Sequence, residues 1–153
     1  MDRERVLELF DRYGDMVYRV ALGYLRSSQE AEDAVQTVFL KLLEGAGTPW
    51  PGRERAFLTR ITINHCKDIL RSAKRYADTP LEELDLPAPP EDQEVFRAVM
   101  DLPEKYRLAV TLHCFEGYTF QEIARLLHIG PSAVSMRVHR AKTILKQQLG
   151  REE

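Results

Sequence analysis

Apolar residues return along this chain at the three- and four-residue steps of a helix, and a pass from end to end predicts helices only. Val6, Leu9, Phe10, Tyr13, Val17, Val20 and Tyr24 keep that rhythm, so residues 3 to 26 read as one helix, with Gly14 as the place for a bend. Ser27 and Glu30 have the spacing of a capping box and open a second helix, residues 28 to 44, which stops at Gly45. Glu30, Glu32 and Asp33 suit the positive end of that helix. It carries Val35, Val38, Phe39 and Leu42, and also Leu40 and Leu43, which is more apolar surface than one buried stripe requires. The surplus is either a docking face for a protein partner or a broad core contact. A loop from Gly45 to Gly52 holds Pro49-Trp50-Pro51. A helix over residues 53 to 75 is then expected to pack through Phe57, Leu58, Ile61, His65 and Ile69. Trp50 is expected in the core, because tryptophan is usually well buried.

The last third of the chain holds the sharpest pattern. Helices are expected over residues 91 to 101 and 104 to 116, the second opened by Pro103. Thr119-Phe120-Gln121-Glu122 then has the T-x-x-E form of a capping box, and Gly117 before it can end the preceding helix in a left-handed conformation. Ile123, Leu127 and Ile129 are the apolar positions of a short helix and its turn. Gly130-Pro131 starts the next helix with proline at its first position, where a missing N–H costs nothing. Val134, Val138, Ala141 and Leu145 form one inward stripe, leaving Ser132, Ser135, Met136, Arg137, His139 and Arg140 to face outward or flank it. A capped short helix, a tight turn and a cationic helix with small polar side chains at its start suit a helix lying in the DNA major groove. A plain helical pair with a solvated face has the same caps and stripe, so the local pattern leaves both open.

Charge sharpens the picture. The net charge of −2 conceals a strong segregation. Residues 53 to 75 hold seven cations (Arg53, Arg55, Arg60, Lys67, Arg71, Lys74 and Arg75) against Glu54 and Asp68, a balance of +5. Residues 125 to 146 hold Arg125, Arg137, Arg140, Lys142 and Lys146 and no acid, again +5. Between them, residues 77 to 104 set nine acids against Arg97, a balance of −8. Two basic segments around an acidic one point to two surfaces that each meet a polyanion. Residues 77 to 90 (with Asp78, Glu82, Glu83 and Asp85 among four prolines) read as a flexible acidic linker between two small domains, 1 to 76 and 91 to 153. The fold class expected is therefore all-α, in two helical domains, the second with a helix-turn-helix.

Other chemistries find little support. Cys66 and Cys114 lie 48 positions apart with no C-x-x-C, so neither a disulfide framework nor a zinc site is expected. No carboxylate pair, triad or phosphate-binding loop appears, and no enzyme activity, metal or cofactor is expected. Asp2 and Glu4 stand where a signal peptide would be cationic, and the longest uncharged helical stretch, Leu108 to Phe115, is far short of the roughly 20 residues that span a bilayer. The reading is of a soluble cytoplasmic protein without direct membrane insertion.

Several segments together resemble the extracytoplasmic-function sigma factors, the compact two-domain class of the sigma-70 family of bacterial transcription initiation factors. Residues 31 to 40, AEDAVQTVFL, are similar to the family's segment that docks on the clamp of RNA polymerase. Residues 57 to 64, FLTRITIN, followed by Asp68 and Arg71, resemble the helix that opens and reads the minus-ten element. Leu102-Pro103-Glu104, Glu116-Gly117-Tyr118-Thr119, Glu122-Ile123-Ala124 and Val138-His139-Arg140-Ala141-Lys142 resemble the minus-thirty-five reader. His128 stands where such units usually carry glycine, and Met136 and His139 occupy variable positions.

The resemblance implies three sets of residues. Glu32, Asp33, Gln36, Phe39 and Leu40 would dock on core RNA polymerase. Arg60, Asn64, Lys67, Arg71, Lys74 and Arg75 would meet the minus-ten element, with Asn64 reading a flipped base and the loop around Trp50 as a further contributor to its pocket. Ser132, Ser135, Met136, Arg137, His139 and Arg140 would read the upstream promoter DNA. An anti-sigma factor, often membrane-linked, is the implied regulatory partner. Two other functions stay open on the residues alone: a helix-turn-helix regulator acting without polymerase, and a helical protein-interaction adaptor.

Overall fold

A computed structural model of the chain describes residues 1–72 and 93–150, all of whose regular elements are helices. They belong to two compact units, Met1–Thr79 and Pro80–Glu153. The acidic linker expected over residues 77 to 90 lies outside the described residues, as do Lys74, Arg75 and the first residues of the helix expected from 91.

Three helices make the first unit: α1 (Arg3–Leu25), α2 (Ser28–Leu43) and α3 (Glu54–Ser72). Asp2 caps α1, its Oδ1 accepting from the Arg5 N–H at 2.8 Å. The helix continues through Gly14 and ends at Arg26, whose φ of 52° reverses the chain. Ser27 at once caps α2, accepting from the Glu30 N–H at 3.2 Å. With so short a connection the two helices must run antiparallel side by side. Val6, Leu9, Val17, Val20 and Tyr24 are buried as the periodicity requires, whereas Phe10, expected with them, is 46% exposed.

The buried face of α3 differs from expectation. Leu58 is inside, but its companions are Thr59, Thr62, Ile63 and Cys66, while Phe57, Ile61, His65 and Ile69 are only half-buried. Both threonines can be buried because their hydroxyls donate within the helix, Thr59 to the Arg55 carbonyl at 2.9 Å and Thr62 to the Leu58 carbonyl at 2.7 Å. Phe57 instead covers the loop, its ring tight against Gly47. Arg5 ties the start of α3 to the start of α1, its guanidinium 2.9 Å from Glu54.

The second unit holds α4 (Gln93–Met100), α5 (Glu104–Val110), a π-helical turn (Thr111–Phe115), α6 (Phe120–Leu127) and α7 (Pro131–Gly150). The stretch expected as one helix from 104 to 116 thus changes its winding at Thr111. The Glu116 N–H reaches back five residues to the Thr111 carbonyl at 3.1 Å, and Gly117 leaves at φ 77°. The capping box is complete, with Thr119 Oγ1 accepting from the Glu122 N–H at 3.1 Å and Glu122 accepting from the Thr119 N–H at 2.9 Å. Pro131 opens α7, and Val134, Val138, Ala141 and Leu145 are buried against α4, α5 and α6.

Candidate functional site

The stripe that anchors α7 decides what its other side presents. Ser132, Ser135, Met136 and His139 are exposed on consecutive turns opposite the buried line, and Arg140 is exposed beside them. Arg137 stands on the same flank as Arg140 and is half-buried. All six residues expected to read the upstream DNA therefore share one helix, with Met136 52% exposed in the outer row. Among the described residues this helix carries no acid over residues 131 to 150, so an approaching phosphate meets no like charge on it. The groove between the starts of α6 and α7 is lined by Thr119, Phe120, Gln121, Pro131, Ser132 and Ser135. His113 closes one side of it, its Nδ1 donating to the Tyr118 carbonyl at 2.9 Å and its ring 4.7 Å from that of Phe120.

On α3, Arg60, Asn64, Lys67 and Arg71 follow one another at steps of four, three and four, which sets them in a line. Arg60, Asn64 and Arg71 are exposed and Lys67 is half-buried, on the side opposite Leu58, Thr62 and Cys66. Arg71 lies 3.6 Å from Asp68, an exposed pair that a phosphate can displace at little cost. The flank toward α2 holds His65, whose Nδ1 accepts from Lys41 Nζ at 3.3 Å. Burial first, and the Lys41 charge second, hold this imidazole below its ordinary range, with Asp68 opposing them.

Trp50 is a correction. It was expected in the core and is 80% exposed, on a loop where Pro49 is the buried residue. Three glycines around it, Gly45, Gly47 and Gly52, have positive φ, a conformation glycine adopts without strain.

Along α2, Glu32, Asp33, Gln36 and Leu40 are all exposed. Phe39, placed with them by sequence reasoning, is only 6% exposed and meets Phe10 edge-on with ring centres 5.3 Å apart. Its burial makes it a support for the face rather than part of it. The surplus of apolar residues on this helix resolves the opposite way: Leu40 is 55% and Leu43 43% exposed, in line with Glu32 and Gln36. Leu7 on α1 is a further exposed apolar group, and Phe10, which meets Phe39, is itself 46% exposed. No helix among the described residues is long and apolar enough to cross a membrane.

A helical unit with a basic, partly apolar face, joined in sequence to a unit ending in a helix-turn-helix, defines a two-part nucleic-acid-binding protein. Residues 9–76 match the family model of sigma-70 region 2, and residues 90–145 match that of sigma-70 region 4. The chain is 35% identical to the ECF RNA polymerase sigma factor SigM of Mycobacterium tuberculosis, over 97% of this chain and 79% of that one. It is 31% identical to the RNA polymerase sigma factor CarQ of Myxococcus xanthus, over 95% and 90% of the two chains. Its fold is similar to that of CnrH in complex with the cytosolic domain of CnrY (TM-score 0.69, 24% identity, 99% of this chain and 92% of that one). It is also similar to that of the sigma factor RpoE from Bartonella quintana, solved with the anti-sigma factor NepR (TM-score 0.67, 19% identity, 97% and 96%). The chain belongs to the extracytoplasmic-function sigma factors of the sigma-70 family.

Proposed function

We propose that the protein binds core RNA polymerase through the exposed face of α2, reads upstream promoter DNA with α7, and holds the opened minus-ten region on α3 and the Trp50 loop. The observation that carries this reading is the outer row of α7. Ser132, Ser135, Met136 and His139, flanked by Arg137 and Arg140, are presented together by a helix whose opposite side is fully committed to the core. Arginine suits guanine or phosphate, and the Met136 side chain suits a thymine methyl.

The sigma-70 region 2 match over residues 9–76 supports this over a regulator that works without polymerase. Sigma factors are not a class of enzymes, and we read this chain as one whose work is binding and strand opening, with no catalytic step of its own. Unstacking costs a few kcal/mol per base. Cations along α3 follow the phosphates without reading sequence, Asn64 offers both donor and acceptor to an extruded base, and exposed Trp50 offers a stacking face. We place the protein in the cytoplasm. We infer an anti-sigma factor as its regulatory partner, because the similarly folded sigma factor RpoE was solved in complex with the anti-sigma factor NepR.

The test is to add the purified chain to core RNA polymerase and map transcription starts across the genome. New starts sharing two sequence elements are expected; their absence would sink the proposal.

A further inference from the structure

One cluster of cations on the second unit lies partly outside the residues assigned above. Tyr106 is on α5, and its hydroxyl accepts a hydrogen bond from Arg140 Nη1 at 3.5 Å, where α5 packs on α7. Lys105 Nζ is 5.2 Å from the centre of the Tyr106 ring. The Arg140 hydrogen bond first, and then the charges of Lys105, Arg140 and Arg137, hold this phenol below its usual range, with burial opposing. Among the described residues, every charged group that shifts it is a cation. Cations brought together around one ring create a local field whose complement is a polyanion.

The geometry also treats Arg140 differently from its neighbours. A guanidinium carries five N–H donors, and Tyr106 engages one of them from the side. Arg140 as a whole is exposed. A long side chain restrained before contact loses less freedom when it binds. We infer that Tyr106 is a positioning residue that holds Arg140 toward the DNA backbone, and that Lys105, Arg137 and Arg140 around it take the phosphates bordering the groove read by α7. The inference rests on the promoter-reading role proposed for α7 and extends the contact surface onto α5.

The test uses holoenzyme assembled from the full chain and core RNA polymerase, titrated with a promoter fragment taken from the mapped starts at several salt concentrations. Tyr106→Phe removes the hydroxyl and keeps the ring. Its expected effects are a loss of affinity of about fivefold and a log-affinity against log-salt slope shallower by about 1, with the melting temperature unchanged. In an Arg140→Ala background the same substitution should change nothing further. Unchanged affinity and slope in Tyr106→Phe, or a loss that persists in full without Arg140, overturns the positioning role. If starts appear and Tyr106→Phe matches the parent, only this inference falls. If no sequence-defined starts appear, the reading of α7 falls and takes it along.

Discussion

At the end of α6, His128 has φ 59° and an exposed side chain, and its N–H closes the last turn onto the Ala124 carbonyl. A left-handed conformation puts Cβ against the next carbonyl, at a cost of about 1 kcal/mol that glycine does not incur. His128→Gly should therefore stabilise the protein by about 1 kcal/mol, read as a higher urea midpoint at unchanged slope. A lower midpoint would show that the imidazole contributes more than its strain costs. His65 makes an opposite case, in which protonation rather than backbone geometry is at stake. Its imidazole is held below the usual value of about 6.5, chiefly by burial and then by Lys41, so the folded chain binds fewer protons than the unfolded one as pH falls toward that value. The stability it contributes is complete above the unfolded value and is lost as pH falls through and below it. Between pH 7.5 and 5.5 the parent should lose more stability than His65→Gln, which keeps an acceptor for Lys41. Equal losses would remove His65 from the account. The sequence marked His128 because glycine usually fills that place, and marked His65 only as a packing residue of its helix. The setting of His65 depends on Lys41, 24 positions away on another helix.

Elements were legible in proportion to how cleanly their apolar residues mark one face. On α7 the inward line is all apolar and its neighbours are polar, so Val134, Val138, Ala141 and Leu145 were read without error. On α3 the inward line includes Thr59, Thr62 and Cys66, and the two threonines count as polar until their hydroxyl bonds within the helix are seen. Apolar Phe57, Ile61 and Ile69 then drew the reading toward the flank. The π-helical turn at Thr111 has no apolar period of its own, and nothing in the sequence marked it. Two faces left exposed give predictions. Leu40→Ser with Leu43→Ser should change stability by less than about 1 kcal/mol, since neither side chain is buried, yet weaken polymerase binding at least about tenfold. Fluorescence titration of core polymerase checks the second effect, and undiminished affinity would move the docking face elsewhere. Trp50→Ala discriminates equally well. A buried tryptophan costs about 3–5 kcal/mol when truncated, an exposed one within about 0.5. The melting temperature should stay constant, while retention of opened promoter falls by the about 1–3 kcal/mol that one stacked base is worth.

Across the whole molecule the dominant feature is charge order along the chain: +5 over residues 53 to 75, −8 over 77 to 104, and +5 over 125 to 146. Fold class could be read from sequence, and so could the two helices proposed to face DNA, because each depends on residues close together in the chain. The consequence of the acidic stretch cannot be read so locally, since it concerns segments far apart. The acidic stretch joins the two basic segments in sequence, and 14 residues from 77 to 90 can span at most about 45 Å at roughly 3.3 Å each. Charges act over about 30 Å at 0.01 M salt but only about 8 Å at 0.15 M. We propose that Glu82, Glu83 and Asp85 compete with DNA phosphates for the basic segments when the chain is free of polymerase. Replacing all three with their amides removes three of the nine acids and should tighten binding of the free protein to duplex DNA at low salt. The gain should shrink as salt rises and vanish near about 0.3 M, because the competition and the DNA contact are screened alike. Affinity measured by anisotropy across that salt range decides the matter. A gain independent of salt would point to a changed contact rather than a removed field, and no gain at any salt would dismiss the competition.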